Sequence, residues 1–449
     1  MKTSIALLSI GSLTLSAVAV ASTATKTATE TATPTKASPT VQHTTDTSGP
    51  PLNQYGAVNV KANVPIAAQV PPKPASLKLP MIQPLTTTFK GSVPPSPQLN
   101  VKSYLLMSAD TGQVIASYNA NQRHAPASLT KLMLLYLVDQ ALADGTLKLD
   151  QKISIPTVAW ATGGSTMFLK PKQQVAVKDL ISGIIVDSGN DAAVTLAVEI
   201  AGTQATFVDM MNQAAKKLGM TNTHFNDVMG LPAPNHFSSA RDLGVLAHAI
   251  VEQYPQYLKW YGQKWFTYNG IRQPSFNKLL FLYPYADGMK TGSTSESGYS
   301  LIGTAKIPDR PMRLISVILG APNANESAVD SKALLAYGFR FFKQTTLYTP
   351  AQTIQSIPVY MGNTKQVNIG VAQPIKLTVP SAQVKSLNAN LKLPKTLVAP
   401  ITKDQMVGTI EVKYHNQVIA TAPAIALNQV DKGSVWQRMS GKVALWFKG

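Results

Sequence analysis

Residues 127–138 run Ala127-Ser128-Leu129-Thr130-Lys131-Leu132-Met133-Leu134-Leu135-Tyr136-Leu137-Val138, a serine and a lysine three apart at the mouth of an otherwise almost wholly apolar segment. A segment apolar on every side is stable only when surrounded by protein, so this one predicts a buried helix over 128–143. Positions i and i+3 of a helix share a face, which brings Ser128 and Lys131 within reach of each other. Burial and neighbouring cations depress a lysine pKa, and a neutral lysine can take the proton from a serine hydroxyl. A plainer reading also stands: Ser128 caps the helix and Lys131 snorkels to the surface. The rest of the chain has to decide between them.

A chain of 449 residues has room for two or three domains with ample core. Its net charge of +18, from 40 Lys+Arg against 22 Asp+Glu, fits a polyanionic partner. No nucleic-acid motif accompanies that charge, and the aromatics are not interleaved with basic runs, so an anionic membrane or wall surface is the expected partner and nucleic acid is not. The absence of cysteine excludes disulfides, thiolate metal sites, thiol nucleophiles and a lipid-modified N-terminal cysteine. The six histidines show no His-Glu-x-x-His or similar spacing, so no metal and no cofactor is expected.

Residues 1–21 read as an export signal: Lys2 supplies a charge, 5–20 are apolar and small, and small-x-small sites place cleavage after Ala19 or Ala21. A first transmembrane anchor is the alternative, but the stretch is short and rich in Ala, Ser and Thr. No later run reaches the ~20 apolar residues that span a bilayer. Residues 22–99, rich in Thr, Ser, Ala and Pro, hold too little large apolar content to offset chain entropy and read as a disordered tether.

Folded sequence is expected from about residue 100. Residues 104–107, the turn Asp110-Thr111-Gly112, and 114–118 form a β-hairpin pattern. After the opening helix, 177–186 is apolar at helical spacing, breaks at Asp187-Ser188-Gly189-Asn190-Asp191, and resumes as 192–201. Ser188 and Asn190 therefore sit in a tight connection between two helices. Further helices are expected over 207–218, 240–252 and 327–342, and strands over 299–306 and 312–320. Strands at both ends with helices between them make an α/β arrangement whose terminal elements share one sheet. Residues 346–429 are short alternating runs separated by Pro, Gly and Asn, a small all-β domain. In 430–449, Val435, Trp436, Met439, Val443, Trp446 and Phe447 share one helical sector bordered by Arg438 and Lys442, the pattern of a membrane-surface helix. A helix docked on the β-domain, or a loose tail, would be the alternatives.

Three short signals stand in order along the chain: Ser128-x-x-Lys131, Ser188-x-Asn190 and Lys290-Thr291-Gly292. Together they are the signature of penicillin-binding proteins and class A β-lactamases. The stretches Pro126-Ala127-Ser128-Leu129-Thr130-Lys131-Leu132-Met133, Ser188-Gly189-Asn190-Asp191-Ala192, Thr223-His224-Phe225, Ser238-Ser239-Ala240-Arg241-Asp242-Leu243, Asp287-Gly288-Met289-Lys290-Thr291-Gly292 and Tyr337-Gly338-Phe339-Arg340-Phe341-Phe342 carry the resemblance further. From about Leu105 through the C-terminal helix the chain resembles the low-molecular-weight penicillin-binding proteins, serine-type D-alanyl-D-alanine carboxypeptidases. The long tether before Asn100 departs from that family's short lead, and Ser293 stands where some members carry histidine.

The resemblance implies a β-lactamase-like α/β (α+β) catalytic domain over 100–345, with a five-stranded antiparallel sheet flanked by helices and an inserted helical subdomain. The all-β domain over 346–429 and the amphipathic helix over 430–449 follow it. It implies that Ser128 attacks the bond between two D-alanines of the peptidoglycan pentapeptide with Lys131 as base, and that Ser188 passes a proton to the leaving amine. Asn190 would orient the substrate amide and Lys131, and Lys290 would keep Lys131 neutral and attract the anionic peptide. Backbone N–H groups of Ser128 and Ser293 would form the oxyanion hole beside Gly292, with Thr291 and Arg313 meeting the terminal carboxylate. β-Lactams would be covalent inhibitors, and the protein would be peripheral on the periplasmic face of the inner membrane. Three other functions fit parts of the pattern: a β-lactamase, which lacks a convincing Glu-x-x-x-Asn segment here; a cross-link endopeptidase; and an inactive wall-binding module, against which the intact trio argues.

Overall fold

The computed structural model describes Gln83–Pro84 and residues 93–446. The expected signal segment and most of the expected tether lie outside the described residues. Where the tether region is described it departs from the disordered expectation. The Tyr337 hydroxyl donates to the Pro94 carbonyl at 2.8 Å, Ser96 Oγ lies 2.8 Å from Tyr104 Oη, and Val93 and Leu99 pack on the core. Gln83–Pro84 pairs with Thr421 and Ala420 of the β-domain. Isolated apolar residues flanked by conformationally restricted prolines are enough to seat this end of the segment.

The catalytic sheet begins with β1 (Ser103–Ser108) and β2 (Val114–Tyr118). The chain then leaves for the helices α1 (Lys131–Ala143), α2 (Val177–Val186), α3 (Asn190–Ala201), α4 (Gln204–Leu218) and α5 (Ala240–Gln253). It returns as β3 (Ala286–Thr294), β4 (Gly298–Lys306) and β5 (Arg313–Ala321), followed by α6 (Ala324–Phe341). The five strands lie in the order β2-β1-β5-β4-β3, all neighbours antiparallel. The first and last strands of the domain thus meet at its centre, where Leu105 pairs with Val317.

Strand alternation explains why a single sheet serves two cores. On β1, Leu105 and Met107 face the core built on α1 to α5, while Tyr104 and Leu106 face the core shared by α6 and the β-domain. On β5, Ile315, Val317 and Leu319 face the first core, and Leu314 and Ile318 the second. A strand buried on both faces reads as a near-continuous apolar run, as 314–319 does with Ser316 the one polar residue.

The apolar helix α1 is buried along most of its length, from Lys131 to Asp139 without a break. The buried carboxyl of Asp139 accepts from the Tyr261 hydroxyl at 3.2 Å, and a side chain at Gly288 of β3 would meet Tyr261 at 3.2 Å. Tyr261 therefore spaces the rear of α1 from the edge strand that carries Lys290.

Beyond α6, Phe342–Tyr348 pairs with Ile375–Pro380, and a seven-stranded sheet built mainly from 355–426 forms the all-β domain. Thr378 Oγ1 lies 3.3 Å from Thr111 Oγ1, and its N–H donates to Gln113 Oε1 at 3.1 Å, so the β-domain grips the β1–β2 turn. The last described helix, α7 (Val435–Trp446), approaches the β-domain through Gly441, where an added Cβ would lie 2.8 Å from the Met361 nitrogen. Trp436 and Trp446, each 80% exposed, lie on the helix with the exposed Met439 and Val443; Phe447 lies outside the described residues. No helix among the described residues is long and apolar enough to cross a membrane.

Burial raises the Asp139 carboxyl to about 8, offset in part by the Tyr261 hydrogen bond. A carboxyl that binds its proton more tightly when folded destabilises the fold as pH rises, from the unfolded value near 4 up to the folded value. Asp139→Asn keeps a neutral hydrogen-bonding group there, so the melting temperature of the variant is expected to fall less than wild type between pH 5 and 8. Parallel thermal-melt profiles would count against a buried protonated Asp139.

Candidate active site

Ser128 does not sit on the α-helix proper. Ala127–Thr130 is a turn of 3-10 helix that runs into α1 at Lys131. In a 3-10 turn side chains at i and i+3 eclipse rather than merely share a face, so Lys131 is stacked on Ser128. Lys131 Nζ lies 2.8 Å from Ser128 Oγ and donates to the Met229 carbonyl at 3.0 Å. Its side chain is fully buried, whereas Ser128 is half-buried and reachable. Burial first, and then the nearby Lys290, hold the Lys131 amine well below the usual lysine range; Asp227 and Asp191 oppose them. A neutral amine has two N–H groups and one lone pair, so donation to Met229 leaves the lone pair for the serine proton.

The carbonyl that holds Lys131 is itself fixed. Asp227 accepts from the N–H groups of Met229 and Gly230 at 2.6 Å each and from Leu231 at 3.1 Å, and lies 3.6 Å from His236 Nδ1. His236 Nε2 in turn meets Thr130 Oγ1 at 2.9 Å, tying this loop to the nucleophile turn. Gly230, at φ +92°, backs directly onto the Ala127 carbonyl, a position closed to any side chain.

The second signal falls where α2 gives way to α3. Ser188 is in the left-handed region at φ +57°, and its Oγ accepts from Lys290 Nζ at 3.0 Å. Asn190 opens α3; its Nδ2 donates to the Gly163 carbonyl at 2.6 Å and its N–H to Ser165 at 2.7 Å. No hydrogen bond joins Asn190 to Lys131 among the described residues. The neighbouring Asp191 accepts from the N–H groups of Met167 and Leu169 at 3.1 Å each, so the pair pins the 163–169 loop beside the site.

The third signal lies on the edge strand β3. Lys290 is buried and also donates to the Thr291 carbonyl at 3.0 Å. Desolvation brings it down to about 7, with Asp187 pulling the other way. At Gly292 an added Cβ would lie 3.0 Å from the Ser128 nitrogen and 2.9 Å from the Leu129 nitrogen. Only a glycine lets the strand approach the nucleophile's backbone this closely. Thr291 is partly exposed and Ser293 exposed, so they border the open side while Lys131, Lys290, Ser188 and Asn190 are buried.

Seven of the eight residues expected beside Ser128 thus gather around it. Arg313 does not. Its guanidinium Nη1 is 2.6 Å from each carboxylate oxygen of Asp287, and its N–H donates to Asp110. Arg313 pairs with Lys306 on β4, whereas Gly292 pairs with Ser300, six residues and ~20 Å away along the strand. Arg313 is an ion-pair partner at the far end of the sheet, and its assignment to the substrate carboxylate is withdrawn.

Two helpers escaped the sequence reading. Asp227 leaves a faint trace, an aspartate opening a turn that ends in glycine. Asp191 stood directly after the second signal without a role.

Residues 90–323 match the family model described as D-alanyl-D-alanine carboxypeptidase, and 342–432 match the penicillin-binding protein 5 C-terminal domain. The chain belongs to the D-alanyl-D-alanine carboxypeptidase family. Its relatives include the D-alanyl-D-alanine carboxypeptidase DacC of Escherichia coli, 41% identical over 78% of this chain and 90% of that one. Among solved structures, penicillin binding protein 5 of Haemophilus influenzae superposes with a TM-score of 0.72 at 37% identity, covering 76% of this chain and all of that one. Penicillin-binding protein D2 of Listeria monocytogenes in an ampicillin-bound form is 32% identical with a TM-score of 0.50, covering 55% of this chain and all of that one. The five-stranded sheet with its helices and all-β extension is therefore the fold of this family, and the chain is a peptidase of the hydrolase class.

Gly292→Ala is expected to leave the melting temperature within a few degrees of wild type while slowing acylation of Ser128 by ampicillin at least tenfold, read by intact-protein mass. Retained acylation would show that the strand is free to retreat.

Proposed function

We propose that this protein removes the terminal D-alanine from peptidoglycan pentapeptides through an acyl-enzyme on Ser128. The observation that carries the reading is the 2.8 Å contact between Ser128 Oγ and a buried lysine whose surroundings hold its amine well below the usual lysine range. As Oγ bonds to the carbonyl carbon, the Lys131 lone pair takes the hydroxyl proton. The negative oxygen is met by the N–H groups of Ser128 and Ser293, each donor typically worth ~3 kcal/mol in acyl transfer. Collapse breaks the C–N bond, and the proton on Lys131 passes by way of Ser188 to the leaving amine, freeing D-alanine. Water then gives a proton to Lys131 as its oxygen attacks the ester; the C–Oγ bond breaks, the proton returns from Lys131 to Ser128 Oγ, and the shortened peptide leaves. Lys290 and Thr291 receive the terminal carboxylate, and Asn190, braced on Gly163, presents its remaining amide oxygen to the substrate N–H. β-Lactams enter the same sequence and stop at the acyl-enzyme.

The positive charge, the apparent export signal and α7 support a peripheral position on the periplasmic face of the inner membrane. A basic helix whose aromatic and aliphatic side chains are exposed gains by lying in a lipid interface. Residues 22–82 serve as reach, and 430–434 belong with the β-domain rather than the helix, since Val430 bridges Ile401.

D-Alanine release from a pentapeptide ending in D-Ala-D-Ala tests the chemistry. Wild type should release it, and Ser128→Ala should lose release by three orders of magnitude or more, on the scale of removing a covalent nucleophile. Equal release by both proteins would sink the mechanism. For the membrane, a chain ending at Ser434 should move from the sedimented membrane fraction to the supernatant, and continued sedimentation would refute the anchor.

A further inference from the structure

Asp187 closes α2 immediately before Ser188, and none of the steps above uses it. Its N–H donates to the Gly183 carbonyl at 3.1 Å, while its side chain turns inward and is only 2% exposed. Neither carboxylate oxygen has a hydrogen-bond partner among the described residues. An unpartnered carboxylate in a dry site is costly unless it is protonated or faces a cation. The cation is at hand. Lys290, on the strand opposite, spends two of its three N–H groups on Ser188 Oγ and the Thr291 carbonyl, both at 3.0 Å.

The other charges around the pair are accounted for. Asp191 on α3 is occupied by Thr166 and by the N–H groups of Met167, Leu169 and Ala192. Lys131 on α1 faces Ser128 and Met229, and Asp227 is taken up by its own loop. Lys264, whose carbonyl accepts from Ser275, has its ammonium over the Phe281 ring. Asp187 is the acid left to serve Lys290.

We propose that Asp187 is a positioning residue of this active site: it is the counter-charge that keeps the buried Lys290 ammonium charged, and so able to receive the anionic end of the substrate and to hold Ser188. This rests on the carboxypeptidase reading of the site. The electrostatics agree with the geometry. Burial, joined by Asp191, raises Asp187 to about 7 against the pull of Lys290, and burial lowers Lys290 to about 7 against the pull of Asp187. Each charge thus favours the other.

Asp187→Asn preserves shape and removes only the charge. With burial then unopposed, Lys290 gives up its proton at lower pH. The alkaline limb of the kcat/KM profile for D-alanine release is expected to move down by about one pH unit, the scale of one opposite charge in a dry site. Asp187→Glu should return the limb toward its wild-type position. A merely structural residue would lower activity or melting temperature without moving the limb.

The same shift is read without turnover by 15Nζ-lysine NMR, in which the Lys290 midpoint drops in Asp187→Asn. That measurement stands even if wild type releases no D-alanine, which would overturn the carboxypeptidase reading instead. If Asp187→Asn does not fold, the reciprocal variant decides: Lys290→Met should raise the midpoint of the Asp187 carboxyl, followed by 13C-aspartate NMR. An unmoved Lys290 midpoint, an unmoved limb, or an Asp187 midpoint indifferent to Lys290→Met each overturns the proposal.

Discussion

Everything at this site depends on keeping one amine dry. Lys131 acts as a base only if its proton is more costly to carry than to give up, and water would remove that cost. The apolar turns of α1 that follow it and the second cation at Lys290 push in the same direction, while the Met229 carbonyl fixes where the amine sits. The acids Asp227 and Asp191 push back, and both are already saturated with backbone donors that stabilise their negative charge in place. The outcome is a local field in which Ser128 is partly exposed and the amine beside it is buried.

The second requirement is closeness between elements that come from opposite halves of the domain. The turn bearing Ser128 and the edge strand bearing Lys290 touch backbone to backbone, which Gly292 permits, and Gly230 permits the same closeness between the Asp227 loop and Ala127. The spacing is then held at both ends of α1: at the front by the Asp227, His236 and Thr130 chain, and at the rear by Asp139 against Tyr261. Buried polar networks of this kind cost desolvation, so they are tolerated where they specify geometry. Here they specify the distance between the helix that supplies the base and the strand that supplies the second lysine.

Much of this was legible in the residues. Period-two and period-3.6 patterns placed the first hairpin and most helices, because an amphipathic or wholly buried segment has few other ways to hide its apolar side chains. The cluster Asp187-Ser188-Gly189-Asn190 announced a break between α2 and α3, since polar and glycine residues interrupt a buried helix. What was not legible depends on register or on partners distant in sequence. Arg313 could be seen as a strand cation but not as the partner of Asp287, because that pairing follows from how β3, β4 and β5 are aligned. The 3-10 start at Ala127–Thr130 has no propensity signal in an apolar run. Asp187 read as a turn residue, and only the fold shows it buried without a hydrogen-bond donor opposite Lys290.

The strand order carries a further consequence, for the order of events in biosynthesis. Because β1 lies between β2 and β5, its long edge stays open until residues beyond 313 have been made, and β3 has no sheet to join until β4 and β5 exist. Long loop closures of this sort come late in folding. A nascent chain can form α1 early, but it cannot bring Ser128, Ser188 and Lys290 together until nearly the whole domain has left the ribosome. The site around Ser128 therefore assembles only once synthesis of the domain is done.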